Sequence, residues 1–411
     1  MNTNDLWKDT CDKTSIQPDP LVKRVSDSVA MQMFYTPVGK LFMRPIESGL
    51  DTEVIMNGKP VLMFGSNSYL GLTGHPKIKQ AAIDAINKYG TGCAGSRMLN
   101  GTLDLHLELE DKLADFIGKQ AAMLFTTGFQ VNIGASPALA DRNSYLIVDE
   151  LGHASIIDAK RLSFAKSFKH RHNDMEHLDE VLSECKGNKL KLIISEGVFS
   201  MEGDIVKLPE LVKVAKKHNA HVMIDDSHGI GILGNNGKGA ADHFNLTDDT
   251  HFIMGTFSKT LASIGGFIAG DKDIINYLKS CSRSFIFSAS MSPANTASVL
   301  AALEVIKEEP WRHEQLWKNT RYAIKIFNEL GFDTGASETP IIPLYIRDNE
   351  KTFKLTMNLQ NDGIFVNPVI HPATSHDSTL IRISLMATHT REQIDIAIDK
   401  IYRHSKSLNI L

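Results

Sequence analysis

Phe252-Ile253-Met254-Gly255-Thr256-Phe257-Ser258-Lys259-Thr260, followed by Gly265-Gly266-Phe267-Ile268-Ala269, is the stretch that decides the fold of this chain. An apolar run too short for a helix ends in small and hydroxyl-bearing residues, a lysine follows, and a second apolar run begins at a glycine pair. This is the pattern of a buried strand emptying into a turn at the edge of a sheet, with another strand close behind. Counting 251–254 and 266–269 here, runs of the same kind recur outward at 121–125, 145–148, 191–195 and 221–224. Between them Leu105, Leu109, Leu113 and Phe116 fall at helical spacing, as do Leu208, Leu211, Val212 and Ala215. Strands alternating with helices predict an α/β fold whose large, mostly parallel sheet, over residues 61–290, carries helices on both faces. Residues 1–60 form a separate segment, in which Asp19-Pro20 starts an amphipathic helix to about Met33. The turn-rich connector Tyr35-Thr36-Pro37-Val38-Gly39-Lys40 follows, and the whole reads as an arm around a partner subunit. Residues 291–411 combine a helical stretch at 293–307, strand-like 341–346 and 380–385, and an amphipathic helix from Arg391 to about Lys406, which predicts a smaller α/β domain closing over the first.

Composition narrows the function. A chain of 411 residues, 42% hydrophobic and 22% charged, buries a sizeable core and is neither disordered nor fibrous. Its 44 Lys plus Arg against 48 Asp plus Glu leave a net charge of -4, so it has no electrostatic footprint for nucleic acid. Any anionic ligand must be met locally. Cys11, Cys93, Cys185 and Cys281 lie far apart without a Cys-x-x-Cys pair, which argues against a disulfide framework or a structural zinc and fits a reducing cytosol. The opening Met1-Asn2-Thr3-Asn4-Asp5 lacks a basic and apolar leader, and no run approaches the roughly 18 apolar residues of a membrane span. A soluble, cytoplasmic protein is expected.

In open α/β sheets ligands bind beyond the carboxyl ends of the strands, and five stretches there carry candidate chemistry. Lys259, at a strand exit among hydroxyls and small residues, suits an amine that forms a Schiff base; the alternative is a surface lysine in a turn. Asp225, in Val222-Met223-Ile224-Asp225-Asp226-Ser227-His228, is placed to keep the pyridinium nitrogen of pyridoxal phosphate protonated; the alternative is a cap on the next turn. Thr126-Thr127-Gly128-Phe129-Gln130-Val131-Asn132 reads as a strand-to-helix corner able to receive a phosphate, with Thr256 and Ser258 as further donors. His153, in Asp149-Glu150-Leu151-Gly152-His153-Ala154-Ser155, offers an imidazole to a cofactor ring or a substrate carboxylate, or is simply a structural residue at a helix start. Arg382, inside Leu380-Ile381-Arg382-Ile383-Ser384-Leu385, is shaped for bidentate binding of a carboxylate, or for an ion pair with a core Asp or Glu.

Taken along the chain, in the order corner, histidine, Asp-x-x-His, Ser-x-Lys and arginine, the five elements resemble the pyridoxal-phosphate enzymes called α-oxoamine synthases, from about residue 50 to the end of the chain. The resemblance extends to Asn173-Asp174, to Glu196-Gly197-Val198-Phe199-Ser200-Met201-Glu202-Gly203-Asp204 and to Gly234-Asn235-Asn236-Gly237-Lys238-Gly239. Gly95-Ser96-Arg97-Met98-Leu99-Asn100-Gly101-Thr102, Arg171-His172-Asn173, Gly255-Thr256-Phe257-Ser258-Lys259 and Pro372-Ala373-Thr374 are most similar to members that condense L-serine with a long-chain acyl-CoA. The resemblance implies a fold-type I architecture with a seven-stranded large sheet. It also implies a homodimer with shared active sites and a decarboxylative condensation giving 3-ketodihydrosphingosine, CoA and CO2. A lipid product implies peripheral contact with the inner membrane surface. Relatives that join glycine to acetyl-CoA or alanine to pimeloyl-CoA are the alternative, and a silent partner subunit or an aminotransferase are more distant ones.

Residue by residue, the resemblance implies that Lys259 bears the cofactor and then removes the α-proton. Asp225 would meet the pyridine nitrogen, His228 the phenolic oxygen and Ser200 the ring. His153 would stack on the ring and hold the serine carboxylate, which Arg382 takes later. Gly128, Phe129, Thr256 and Ser258 would hold the phosphate, with Ser288 reaching in from the second subunit, while Arg97 and Ser68 join the substrate-binding set. Two departures stand out: Ser68 occupies the position before the tyrosine where the family usually has asparagine, and Ile370 replaces an arginine of some bacterial members.

Overall fold

The computed structural model describes residues 19–28, 31, 35–36, 39–370, 374 and 376–411. Cys11, Pro37-Val38 and Pro372-Ala373 lie outside them, as do most positions between 29 and 34. The small strands β1 (Glu53–Met56) and β2 (Lys59–Met63) precede the large sheet. That sheet is built from β3 (Ala121–Phe125), β4 (Tyr145–Asp149), β5 (Lys166–His170), β6 (Lys191–Glu196), β7 (His221–Asp225), β8 (Phe252–Thr256) and β9 (Gly266–Gly270). Its order is β3-β9-β8-β7-β6-β4-β5, and only β9 runs antiparallel to its neighbours. Side chains alternate between faces along each strand, so the runs supply two cores at once. Ile147, Ile193, Ile224 and Ile253 pack on one side, while Val148, Ile194, Met223 and Met254 pack on the other. Burial on both faces is why these strands read as unbroken apolar runs.

The edge strand β5 does not read that way. Its sequence, Lys166-Ser167-Phe168-Lys169-His170, is polar because only one neighbour covers it, and charged residues blunt an open edge against pairing with another chain. The remaining strands are β10 (Ile341–Tyr345), β11 (Ile364–Phe365), β12 (Asn367–Val369) and β13 (Leu380–Ser384). β13 lies between β10 and β12 in an antiparallel sheet, and β11 joins β2 in a third sheet.

The N-terminal helix is shorter than its amphipathic pattern suggests. The Asp19 carboxylate caps Leu21 and Val22, but the helix spans only Pro20–Ser26, closes at Asp27 and buries no residue. Without a surface to bury its apolar side, a helix this short gains little from propensity alone. Among the described residues, no helix is long and apolar enough to cross a membrane.

Candidate active site

The carboxyl ends of β3, β4, β6, β7 and β8 meet around a cavity of about 290 Å³. Glu196, Asp225, His228, Lys259 and His153 stand on its wall, and Thr127, Gly128, Phe129, Thr256 and Ser258 form another part of it. Each side chain arrives there because a buried strand ends and the chain turns.

Lys259 follows β8. Burial pushes its amine down to about 8, against the pull of Asp225 and Glu196 toward the charged form. The ammonium therefore dominates at pH 7, and a substantial part is free amine one unit higher. Asp225 is buried at the end of β7, where its Oδ2 accepts from Asn132 Nδ2 at 2.7 Å and its Oδ1 from the Ser227 N–H at 3.1 Å. The capping role foreseen as the alternative is thus present together with a carboxylate facing the cavity. Asn132, fully buried, also donates to Ser155 Oγ at 2.8 Å.

Burial first, then the positive charges of Lys259 and Arg382, hold the His228 imidazole well below its usual pKa. Its Nδ1 lies 2.7 Å from the Tyr69 hydroxyl. A neutral ring accepting there carries its proton on Nε2, a tautomer assigned from this bonding pattern. His153 caps the helix Ala154–Leu162, with Nδ1 2.8 Å from Ser155 Oγ and accepting the Ser155 N–H at 3.2 Å. Its imidazole, too, is held below the usual value, by partial burial first and by Lys259, with Asp225 opposing. The Phe129 ring stands edge-on to it at 6.4 Å between centroids.

The donor set fits pyridoxal phosphate. An amine and a carboxylate face one part of the cavity, and a helix start with two hydroxyls faces another. A Cβ on Gly128 would sit 2.6 Å from Thr256 Cβ, so only glycine lets the first turn of the helix Gly128–Leu139 approach the Thr256 hydroxyl. Thr256 Oγ1 in turn lies 2.9 Å from Ser258 Oγ.

Arg382, on β13, is buried and has no carboxylate partner among the described residues. Its Nε donates to the Ser200 carbonyl at 2.6 Å, and one terminal nitrogen donates to Asn67 Oδ1 at 3.0 Å and Ser384 Oγ at 2.8 Å. The other reaches Tyr69 Oη at 3.3 Å. Neutral acceptors leave its charge to be met by an anion.

Several of the residues expected at the site stand off this cavity wall. Ser68 is turned away, with its hydroxyl 2.9 Å from Thr73 Oγ1, and Asn67, one residue earlier, brings the amide to Arg382. Arg97 is not free for substrate: it forms an ion pair with Glu110 at 2.9 Å, both side chains buried. Ser200 offers its carbonyl to Arg382 and does not line the cavity, and Ser288 accepts from Gln130 Nε2 at 3.3 Å outside the lining of its own protomer's cavity. Ile370 is buried.

Sequence reasoning gave Glu196 and Asn132 no role, although both lie in quoted stretches. It also missed a charged cluster around His172. His172 Nδ1 meets Asp149 Oδ1 at 3.1 Å and its Nε2 meets Asp204 Oδ2 at 3.0 Å, while Asn173 bonds both carboxylates. Hydrogen bonds and charge from the two aspartates outweigh burial and raise His172 to about 10. A pKa raised on folding stabilises fully below the unfolded value near 6.5 and is lost as pH rises toward 10. Unfolding by urea should therefore show a pH-dependent loss between 6.5 and 10 that His172→Gln lacks, and this variant should be about 3–5 kcal/mol less stable at pH 6.5. Equal slopes with pH in the two proteins would remove the ion cluster from the account.

Comparisons with known proteins agree with this arrangement. Residues 59–401 match the family model described as aminotransferase class I and II. The chain is 58% identical over 369 residues to a serine palmitoyltransferase of Sphingobacterium spiritivorum, covering 90% of this chain and 92% of that one. It is 42% identical to an 8-amino-7-oxononanoate synthase of Petrotoga mobilis, covering 90% and 94%. The solved structure of Sphingomonas wittichii serine palmitoyltransferase superposes with a TM-score of 0.90 at 32% identity, over 96% of this chain and 98% of that one. The chain belongs to the aminotransferase class I and II family, and within it to the pyridoxal-phosphate-dependent α-oxoamine synthases, with serine palmitoyltransferases among its most similar relatives.

Proposed function

We propose that this chain condenses L-serine with palmitoyl-CoA or a comparable long-chain acyl-CoA, releasing CoA and CO2 and forming 3-ketodihydrosphingosine, the first step of sphingolipid biosynthesis. The observation that carries the reading is one cavity holding Lys259, Asp225, His153 and His228 in a chain 58% identical to a serine palmitoyltransferase. Asp225 would hold the pyridine nitrogen of the cofactor, and the Nε2–H of His228 its phenolic oxygen. The Gly128 and Phe129 amides and the Thr256 and Ser258 hydroxyls would hold its phosphate. When bound, pyridoxal phosphate supplies a carbonyl that takes up an amine and a ring that accepts the electron pair left at Cα.

The protein's own residues do the rest. Lys259 Nζ, with an amine that titrates near 8, takes the Cα proton from serine at the neutral to slightly alkaline pH of the cytosol. His153, its Nδ1 engaged by Ser155, turns the other ring nitrogen toward the cavity to hold the serine carboxylate. Arg382 receives that carboxylate at a later stage, and Asn67 and Tyr69 keep the guanidinium in place. A homodimer with shared sites belongs to this reading, with Ser288 of the partner subunit completing the phosphate pocket. Its support is the exposure of large apolar side chains, such as Leu99 at 81% and Phe287 at 73%. Peripheral contact with a membrane surface, where the lipid product leaves, belongs to it as well.

A panel of amino acids and thioesters tests the substrate assignment. Serine with palmitoyl-CoA should release CoA at least about tenfold faster than glycine with acetyl-CoA or alanine with pimeloyl-CoA, the discrimination available from a few side-chain contacts. Faster turnover with alanine and pimeloyl-CoA would assign the chain to the 8-amino-7-oxononanoate synthases instead.

A further inference from the structure

Glu196 is the ionisable residue of the cavity wall to which no role has so far been given. It ends β6 directly beside Asp225 in the register of β7, so two buried carboxyl groups stand next to each other on one sheet. Around Glu196 the facing groups are Asp225 from β7, Lys259 after β8, His153 at the helix start, and Glu202 from its own connection. Only Lys259 among these is a full cation. The two carboxyls are not equally supplied with donors: Asp225 accepts from Asn132 and Ser227, one bond to each oxygen, whereas Glu196 Oε1 accepts from the His153 peptide N–H at 2.7 Å. With one cation and two adjacent acids, the proton settles on the acid with fewer donors.

We propose that Glu196 is a positioning residue for the reaction, holding the His153 main chain as a neutral acid so that Asp225 is the one carboxylate facing Lys259. The consequences are separate. Through its Oε1, Glu196 sets where the His153 backbone enters the helix Ala154–Leu162, and so where the imidazole stands over the cavity. Through its neutrality it leaves Asp225 as the carboxylate beside Lys259, whose amine also faces the positive charge of Arg382 from β13. Burial and the neighbouring Asp225 charge both raise its carboxyl well above the usual range, in keeping with this arrangement.

The inference rests on the reading of the cavity as a pyridoxal-phosphate site that uses serine, and the test separates the two. If serine is the wrong substrate, the wild type itself is inactive with it; the inference is judged on differences between variants. The experiment compares holoenzyme of the wild type, Glu196→Gln and Glu196→Ala. Its readouts are kcat and KM for serine and the pH midpoint of the cofactor's visible absorption band. Glutamine keeps an acceptor for the His153 N–H and is neutral, so it should restore serine turnover to within about threefold and leave the midpoint within about 0.3 pH unit. Alanine lacks the acceptor and should lower kcat/KM for serine by about tenfold or more, since a buried N–H is left unpaired. A midpoint displaced toward acid by about one unit or more in Glu196→Gln would mean that a Glu196 anion supports the Lys259 cation, which overturns the proposal. An alanine variant with wild-type kcat/KM would overturn the positioning role.

Discussion

Replacing Lys259 by alanine is expected to lower condensation of serine with palmitoyl-CoA by at least about 10³-fold, the upper part of the range for loss of a positioned general base. The structure gives the reason. Among the described residues, Lys259 is the only lysine on the cavity wall, its amine is brought to about 8 by burial, and Asp225 and Glu196 stand around it. No other group on that wall combines a free amine with a place at the strand exit. The phosphate cradle of Gly128, Thr256 and Ser258 is untouched in this variant, so the protein should still take up pyridoxal phosphate, but more weakly and without covalent retention through dialysis. Peptide mapping after borohydride reduction of the wild type should find the cofactor on Lys259. Label on another lysine, or an alanine variant within tenfold of wild-type activity, would displace Lys259 from its role.

His153→Ala should keep the cofactor and lose control of the reaction. Lys259, Asp225 and the phosphate donors remain, while the imidazole held by Ser155 over the cavity is gone. A bond at Cα breaks fastest when it stands perpendicular to the cofactor ring, and a loosely held carboxylate lets other orientations compete. Condensation should fall by roughly 10²-fold, the size expected from loss of productive orientation. The measurement sets CoA release beside α-proton exchange of serine and the absorption spectrum, in wild type and variant. Wild-type CoA release in the variant would reduce His153 to a helix cap, the bland reading its position at the start of Ala154–Leu162 also allows.

The strands of the large sheet were legible because burial on both faces forces continuous apolar runs such as Ile193-Ile194 and Met223-Ile224. β5 escaped because an edge strand pairs on one side only and is written in lysines. The helix Trp311–Glu329 escaped as well, since its exposed face carries many charged residues and dilutes the apolar period. In the site, residues at strand ends were legible from local pattern: Lys259 follows the apolar run of β8, and Asp225 closes that of β7. Side chains whose role depends on distant partners were not. Arg97 looked available because nothing local announces Glu110 as its buried partner. Asn67 carries no local mark of its role, because only the tertiary approach of Arg382 from β13 shows which side chain faces it. Glu196 was passed over because a glutamate ending a strand carries no local mark of its neighbour Asp225 on the next strand.

The central claim, a decarboxylative condensation of serine with a long-chain thioester, is tested most directly by following the carbons of serine. Holoenzyme is incubated with palmitoyl-CoA and L-serine labelled with carbon-13 at the carboxyl carbon, and CO2, CoA and lipid product are quantified by mass spectrometry. The account predicts labelled CO2 and free CoA in equal amounts, and unlabelled 3-ketodihydrosphingosine. Retention of the label in a keto acid while palmitoyl-CoA stays intact would contradict it, since that is the outcome of amino-group transfer and not of condensation.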